Sequence, residues 1–342
     1  MNKEINVLFK VMGGPEIGMG HVMRSLELAN EIKKDLRGGI FFHCNEKVVE
    51  KIKDKYTAFT TNENVDVHED IADKISRYDI DILIIDQIEE NMELCKSTKV
   101  KKPEILTVSL DYFNYENRYL DVIINLYNHN LNVPDPKSEF MGGYYEGIKY
   151  AIIRDSFKQY IDKEKRIGKD IDEILITFGG SDMKGNTIKA LNLLDKMADT
   201  ANVNIVIGPM FKNKDRIIET AKNRDECEIY REVENMEELI FSADLGFIGS
   251  GTTLMEFCAL GTPAIVMPQN ENEERFASIF ERNNAIHVLK EYHTREEQIS
   301  VIKKFFGSKE IREEMSRCQK QLIDGGGKER IKKIISSKAK LE

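Results

Sequence analysis

No stretch of the sequence approaches the run of about 20 apolar residues that a membrane-spanning helix needs. The opening MNKEINVLFKVMGG also lacks the apolar core and small-residue cleavage site of a secretory signal. A cytoplasmic chain without a membrane span is therefore expected. Paired cysteine motifs are missing as well. Cys44, Cys95, Cys227, Cys258 and Cys318 are odd in number and widely spaced, with no CxxC pair and no histidines at zinc-finger spacing. That pattern argues against disulfides and structural zinc, and neither a metal nor a cofactor is predicted. An excess of basic charge is likewise absent, with 50 Lys and Arg against 59 Asp and Glu for a formal charge of −9. Because the two signs are mixed along the chain, a nucleic-acid partner, which needs a basic patch, is not expected. An anionic ligand would have to be held by local donors. Low-complexity tracts and internal repeats are also lacking.

What the 342 residues do contain, 41% hydrophobic and 32% charged, suffices for two cores. Short Ile/Val-rich runs recur between amphipathic stretches: INVLFKV (5–11), IFFHC (40–44), ILIID (82–86), ILTVSLD (105–111) and VIINL (122–126). The second half repeats the rhythm with ILITFGG (174–180), VNIVIG (203–208), LGFIGSG (245–251) and AIVMP (264–268). Unalternating apolar strands separated by helical segments predict parallel sheets covered on both faces, here in two doubly wound α/β units. The polar stretch 155–171 interrupts the rhythm and is read as the interdomain linker, with the boundary near residue 165. Beyond Gly327 a final helix is expected, with Ile331, Ile334 and Ile335 on one stripe.

Two glycine-rich turns carry the chemistry. After the first strand come Gly13, Gly14, Gly18, Gly20 and His21, and then apolar positions at helical spacing, so His21 falls in the first helical turn. Glycines allow a sharp turn and close approach of a ligand, and the positive helix end favours a neutral imidazole able to accept a proton. Such a turn also occurs as bare scaffolding, with the histidine as a capping or core residue, and the GxGxxG spacing is not met. Asp86, Asp111 and Asn125 end strands where open α/β sheets bind ligands, although strand-end aspartates commonly cap the next helix.

In the second half, Gly249-Ser250-Gly251-Thr252-Thr253 opens a helix that Gly261 and Pro263 stop, with Ser250 or Thr252 expected to cap its start. Free N–H groups and small hydroxyls there make a pyrophosphate cradle that needs no basic residue. Glu256, one turn in, is placed to accept the hydroxyls of a ribose. A second loop, Gly179-Gly180-Ser181-Asp182, follows the first strand of this half and is either a bare turn or a phosphate or sugar contact.

Taken together, GMGHVMRSLELA (18–29), Asp86, Asp121 to Asn125, YAIIRDSF (150–157), FGGSD (178–182), GSGTTLMEFCALGTPAIVMP (249–268), NENEERFA (270–277) and IDGGGKER (323–330) resemble one family over nearly the whole chain. It is that of the UDP-2,4-diacetamido-2,4,6-trideoxy-β-L-altropyranose hydrolases of pseudaminic acid synthesis, similar to MurG-type glycosyltransferases and spore-coat polysaccharide proteins. The resemblance implies a GT-B fold, two doubly wound Rossmann-like domains facing a cleft. Residues 1–165 would carry the catalytic histidine and sugar contacts, and 166–342 would bind UDP, the last helix crossing back to the first domain. It implies His21 as general base, Glu256 on the ribose, the backbone at Val233 on uracil, and Gly180, Ser181, Gly251, Thr252 and Thr253 on donor and phosphate loops. Gly18, Gly20, Arg24, Asp86, Asn125, Arg154, Ser250, Asn272 and Glu273 complete the expected substrate contacts. Gln87-Ile88 stands where the family often has His-Tyr, and Asn272-Glu273 where it usually has Asn-Gln.

The implied reaction is metal-independent attack of water on the anomeric carbon of a UDP-sugar, releasing free 2,4-diacetamido-2,4,6-trideoxyhexose and UDP. Two other readings stay open on the sequence. One is a GT-B glycosyltransferase of surface polysaccharide synthesis, in which His21 deprotonates an acceptor hydroxyl. The other is a nucleotide-sugar-binding protein without catalysis.

Overall fold

A computed structural model of the chain describes residues 4–14, 19–62, 64–87, 91–111, 117–126, 140, 142–195, 201–222, 224, 226–231 and 233–339. The chain divides into two units, Met1–Ile152 with Gly326–Glu342, and Ile153–Gly325.

In the first unit the elements run β1 (Asn6–Val11), α1 (Gly20–Lys33), β2 (Ile40–His43), α2 (Glu46–Ile52), β3 (Thr57–Phe59), α3 (Val67–Arg77), β4 (Ile80–Asp86), α4 (Met92–Lys101), β5 (Leu106–Leu110), β6 (Val122–Asn125) and β7 (Gly143–Glu146). The strands form one sheet in the order β3-β2-β1-β4-β5-β6-β7, every neighbour parallel. Along β1, Val7, Phe9 and Val11 enter one core and Leu8 enters another on the opposite face. Burial on both faces explains why the strands read as continuous apolar runs.

The second unit begins with a short helix, α5 (Lys158–Ile161), and continues β8 (Glu173–Thr177), α6 (Asn186–Leu194), β9 (Asn202–Ile207), α7 (Lys214–Ala221), β10 (Cys227–Arg231) and α8 (Met236–Ser242). It is completed by β11 (Leu245–Ile248), α9 (Thr252–Leu260), β12 (Ala264–Val266), α10 (Glu271–Arg282), β13 (His287–Val288), α11 (Arg295–Gly307) and α12 (Lys309–Leu322). Its sheet is also parallel, in the order β10-β9-β8-β11-β12-β13.

The final helix, α13 (Gly327–Lys338), belongs to the first unit. Ile331 and Ile335 join the core that holds Val22 and Leu26 of α1. The fully buried Lys328 pairs with Glu27 at 3.0 Å, and Lys332 pairs with Glu31 at 2.7 Å. Apolar stripe and ion pairs together fix α13 on the helix that starts at the GMGH turn.

The first division falls at Ile152 rather than near residue 165, because the polar stretch 155–171 is bound to the second unit. Phe157 is buried there, the Tyr160 ring lies 4.9 Å from that of Phe241, and Lys165 donates to the carbonyls of Phe241 and Ala243. The fully buried Arg312 of α12 donates to the carbonyls of Gly168 and Lys169 at 2.7 and 2.8 Å. Long cationic side chains satisfying main-chain oxygens turn a polar segment into an integral part of the unit.

In each sheet the strand order reverses once, between β1 and β4 in the first and between β8 and β11 in the second. Open α/β sheets bind ligands beyond the carboxyl ends of the strands at such points. The GMGH turn follows β1 and Asp86 ends β4, while the two glycine loops of the second half follow β8 and β11. Topology alone thus singles out the segments that composition had suggested. Among the described residues no helix is long and apolar enough to cross a membrane.

Candidate functional site

Around the β1/β4 reversal the structure assembles four charged or titratable side chains. His21, the second residue of α1, is bonded through Nδ1 to Oδ1 of Asp86 at 2.6 Å. Arg24, one turn further along α1, forks onto the same carboxylate, with Nε on Oδ2 at 2.8 Å and Nη2 on Oδ1. Ser25 Oγ donates to Oδ2 at 2.9 Å. The third arm of the guanidinium, Nη1, reaches Oδ2 of Asp111 at 2.5 Å. Asp86 is wholly buried, whereas the His21 side chain keeps 20% of its surface open.

This arrangement fixes the tautomer. An ionised carboxylate only accepts, so Nδ1 of His21 carries the proton and donates, leaving Nε2 as the acceptor. The 3.1 Å between Arg24 Nη2 and His21 Nδ1 reflects two donors converging on one oxygen. Burial alone would push the Asp86 carboxyl up, but the adjacent Arg24 guanidinium, its hydrogen bonds and His21 hold it well below the usual carboxylate range. Asp86 therefore stays ionised, and a histidine with a fixed tautomer and a buried anion behind it has what a general base requires.

Several expectations change here. Asp86 was expected as a substrate contact, yet it is fully buried and both oxygens are taken by His21, Arg24 and Ser25. Arg24 likewise spends its fork on Asp86 and Asp111 instead of pointing freely at a ligand. Asn125 ends β6 and is fully buried. Gly20 opens α1, and Gly18 lies outside the described residues, as does Ile88. Gln87, next to Asp86, is buried, and its Oε1 has no hydrogen-bond partner among the described residues.

The second unit gathers its residues around the β8/β11 reversal. Gly179 adopts a φ of +68°, a left-handed conformation that glycine alone takes at no steric cost. Gly180 and Ser181 follow it, and Asp182 caps α6 by accepting from the amides of Asn186 and Thr187 at 2.7 and 2.9 Å. Gly251 is the N-cap of α9, where no side chain caps the helix and no acidic residue lies in the first turn. Ser250 and Thr252 thus leave the cap that was expected of them unmade, and the helix start keeps its donors unspent. Thr252 and Thr253 are half-buried at that start. Ser250 is buried, and its Oγ has no hydrogen-bond partner among the described residues.

Two polar side chains tie these loops together. Gln269 donates to the Ser181 carbonyl at 3.1 Å and accepts from the Met183 amide at 2.7 Å. Glu273 Oε2 accepts from the amides of Ser250 and Gln269, at 3.2 and 3.0 Å. The Glu273 carboxylate thus serves the loop backbone. Asn272 is exposed on α10. Glu256 is buried and its Oε1 accepts from Arg154 Nε at 2.7 Å, with the Arg154 guanidinium 4.8 Å from the Phe157 ring. Val233 is half-buried in the connection from β10 to α8.

The spacing of the His21 cluster is visible in the sequence, although the pairing of its members is not. Arg24 stands at i+3 from His21 on one helix face, and Asp86 and Asp111 end adjacent strands. Gln269 and Ser25 gave no such signal.

Residues 174–334 match the glycosyltransferase family 28 C-terminal domain. A protein of Methanocaldococcus jannaschii is 33% identical over 278 residues, which is 76% of this chain and 54% of that protein. The chain therefore spans about half the length of that relative. The spore coat polysaccharide biosynthesis protein SpsG of Bacillus subtilis is 26% identical over 332 residues, covering 94% of this chain and 95% of its own. Among solved structures, MurG of Acinetobacter baumannii matches with a TM-score of 0.71 at 12% identity, over 97% of this chain and 99% of its own. The fold is GT-B, built from two parallel-sheet Rossmann-like units, as the sequence led us to expect.

Proposed function

We propose that the chain is a nucleotide-sugar hydrolase in which His21 activates water for attack on the anomeric carbon of a UDP-sugar. The observation that carries this reading is the 2.6 Å bond from His21 Nδ1 to the buried Asp86, which turns Nε2 into a proton acceptor. Water oxygen bonds to C1, the proton passes to Nε2, and the bond from C1 to the diphosphate oxygen breaks with its electron pair leaving on UDP. In the second unit, the uncapped start of α9 and the Ser250 hydroxyl, which has no partner among the described residues, are suited to hold a diphosphate. Displacement on the face opposite UDP inverts the anomeric centre. The sugar class follows the family resemblance, a 2,4-diacetamido-2,4,6-trideoxyhexose, and UDP follows from the expected roles of Val233 and Glu256.

The family 28 match favours a second reading, transfer to a sugar hydroxyl, with His21 deprotonating the acceptor in place of water. The SpsG likeness points the same way, toward polysaccharide synthesis. Incubation with a panel of UDP-sugars, without acceptor or added metal and followed by NMR, separates the two. Stoichiometric free sugar and UDP support the hydrolase. Release of UDP only when an acceptor is supplied refutes it in favour of transfer, and binding without turnover refutes both.

A further inference from the structure

The His21 cluster holds more charge than a base and its orienting carboxylate require. Asp86 and Asp111 carry two negative charges and Arg24 one positive, so with a neutral imidazole the cluster is one negative charge in excess. Protonation of His21 neutralises it. Asp111 is not a loosely held surface acid. Its backbone sits at φ +53°, its amide donates to the Ile124 carbonyl at 3.0 Å, and its Oδ1 accepts from the Leu126 amide at 2.9 Å. This conformation is strained for a non-glycine residue, least so for Asp and Asn, and the two main-chain bonds hold it there. The remaining oxygen, Oδ2, is aimed at Arg24 Nη1.

We propose that Asp111 and Arg24 form a positioning relay that sets the proton affinity of His21, with Asp111 raising it and Arg24 restraining it. Arg24 forks onto the carboxylate that must stabilise the imidazolium, and so competes with His21 for that charge. By drawing on the guanidinium from the other side, Asp111 returns part of the Asp86 field to the histidine. The charged groups that bond within this cluster are Arg24 on the histidine's own helix, Asp86 on β4 and Asp111 just after β5. Among the described residues no further ionisable side chain bonds to any of these four.

The proposal rests on His21 acting as the base, but its signature is electrostatic and has a sign that packing lacks. Removing Asp111's charge and removing Arg24's charge should move His21 in opposite directions, whereas lost packing would not distinguish them. Long-range proton–nitrogen NMR of the full chain with labelled histidine reads both tautomer and titration, and His21→Gln assigns the signal among the six histidines. In Asp111→Asn, which suits the left-handed backbone, the titration midpoint falls by on the order of one pH unit. In Arg24→Gln it rises by a similar amount, and in Arg24→Lys, which keeps the charge, it stays within a few tenths of a unit. Should Arg24→Gln fail to fold, a fall in Asp111→Asn beside an unmoved Arg24→Lys supports the relay. Equal-sign shifts in Asp111→Asn and Arg24→Gln, or an unmoved midpoint in Asp111→Asn, overturn it. If these shifts occur but the acid limb of the rate profile ignores them, the relay stands and His21 as base is refuted.

Discussion

The two sites differ in how they spend their polar groups. In the first unit the cluster is saturated: Asp86 accepts from three side chains, Arg24 serves two carboxylates, and Asp111 is tied to the backbone. In the second unit the important donors are unspent. The start of α9 has no cap, and the buried Ser250 hydroxyl has no partner among the described residues. Saturation fixes a tautomer and holds a charge ready, as proton transfer needs, whereas open donors wait for charge that arrives with a ligand. Both clusters occur at the strand-order reversal of their sheet, so under the proposed function one topology would serve two tasks.

The largest effect that would sharpen this contrast comes from Asp86→Asn. Leaving Arg24 short of its buried partner should lower stability by about 3–5 kcal/mol. It should also cut turnover by about 10²–10⁴-fold. Denaturant melts and rates measured on the folded fraction check both, and near-normal values of either would break the claim of saturation.

A second test uses His43, buried beside Lys10 in the first unit and bonded to Thr61 at 2.8 Å. Burial first, and then the Lys10 charge, lower its pKa to about 4 from an ordinary 6.5. The folded state thus prefers the neutral ring. Stability is full above pH 6.5 and falls by up to about 3 kcal/mol as pH drops toward 4, because the unfolded chain takes up the proton first. His43→Gln should flatten the melting temperature across that window, and an unchanged slope would remove His43 as its cause.

Ser250→Ala probes the open site. Loss of a hydroxyl that makes no bond among the described residues should leave thermal stability unchanged or slightly raised, while UDP affinity falls about fivefold, the value of one recovered hydrogen bond. Destabilisation without loss of affinity, read by calorimetry, would mean that Ser250 is scaffolding. Smallest of all, Glu273→Gln replaces charge-assisted bonds to the Ser250 and Gln269 amides, and hydrogen exchange at those amides should quicken several-fold.

Much of the architecture was legible because buried parallel strands leave unalternating Ile/Val runs and because glycine turns mark strand-to-helix junctions. His21 was correctly placed in the first helical turn for that reason. What escaped were partners distant in sequence. Asp86 looked like a ligand contact, since a strand-end carboxylate shows its position but not the Arg24 fork that consumes it. The boundary was placed about a dozen residues late, since charge in 155–171 does not reveal that Lys165 and Arg312 bind buried carbonyls. Ser250 and Thr252 have good capping chemistry, yet Gly251 takes the cap position, and that choice depends on backbone geometry.

The most direct test of the division of labour is one paired measurement on His21→Ala: single-turnover rate with the UDP-sugar found to be a substrate, and UDP affinity on the same sample. The account predicts a rate lowered by at least about 10²-fold with UDP affinity within twofold of the parent. A folded His21→Ala protein that keeps most of its rate would contradict it.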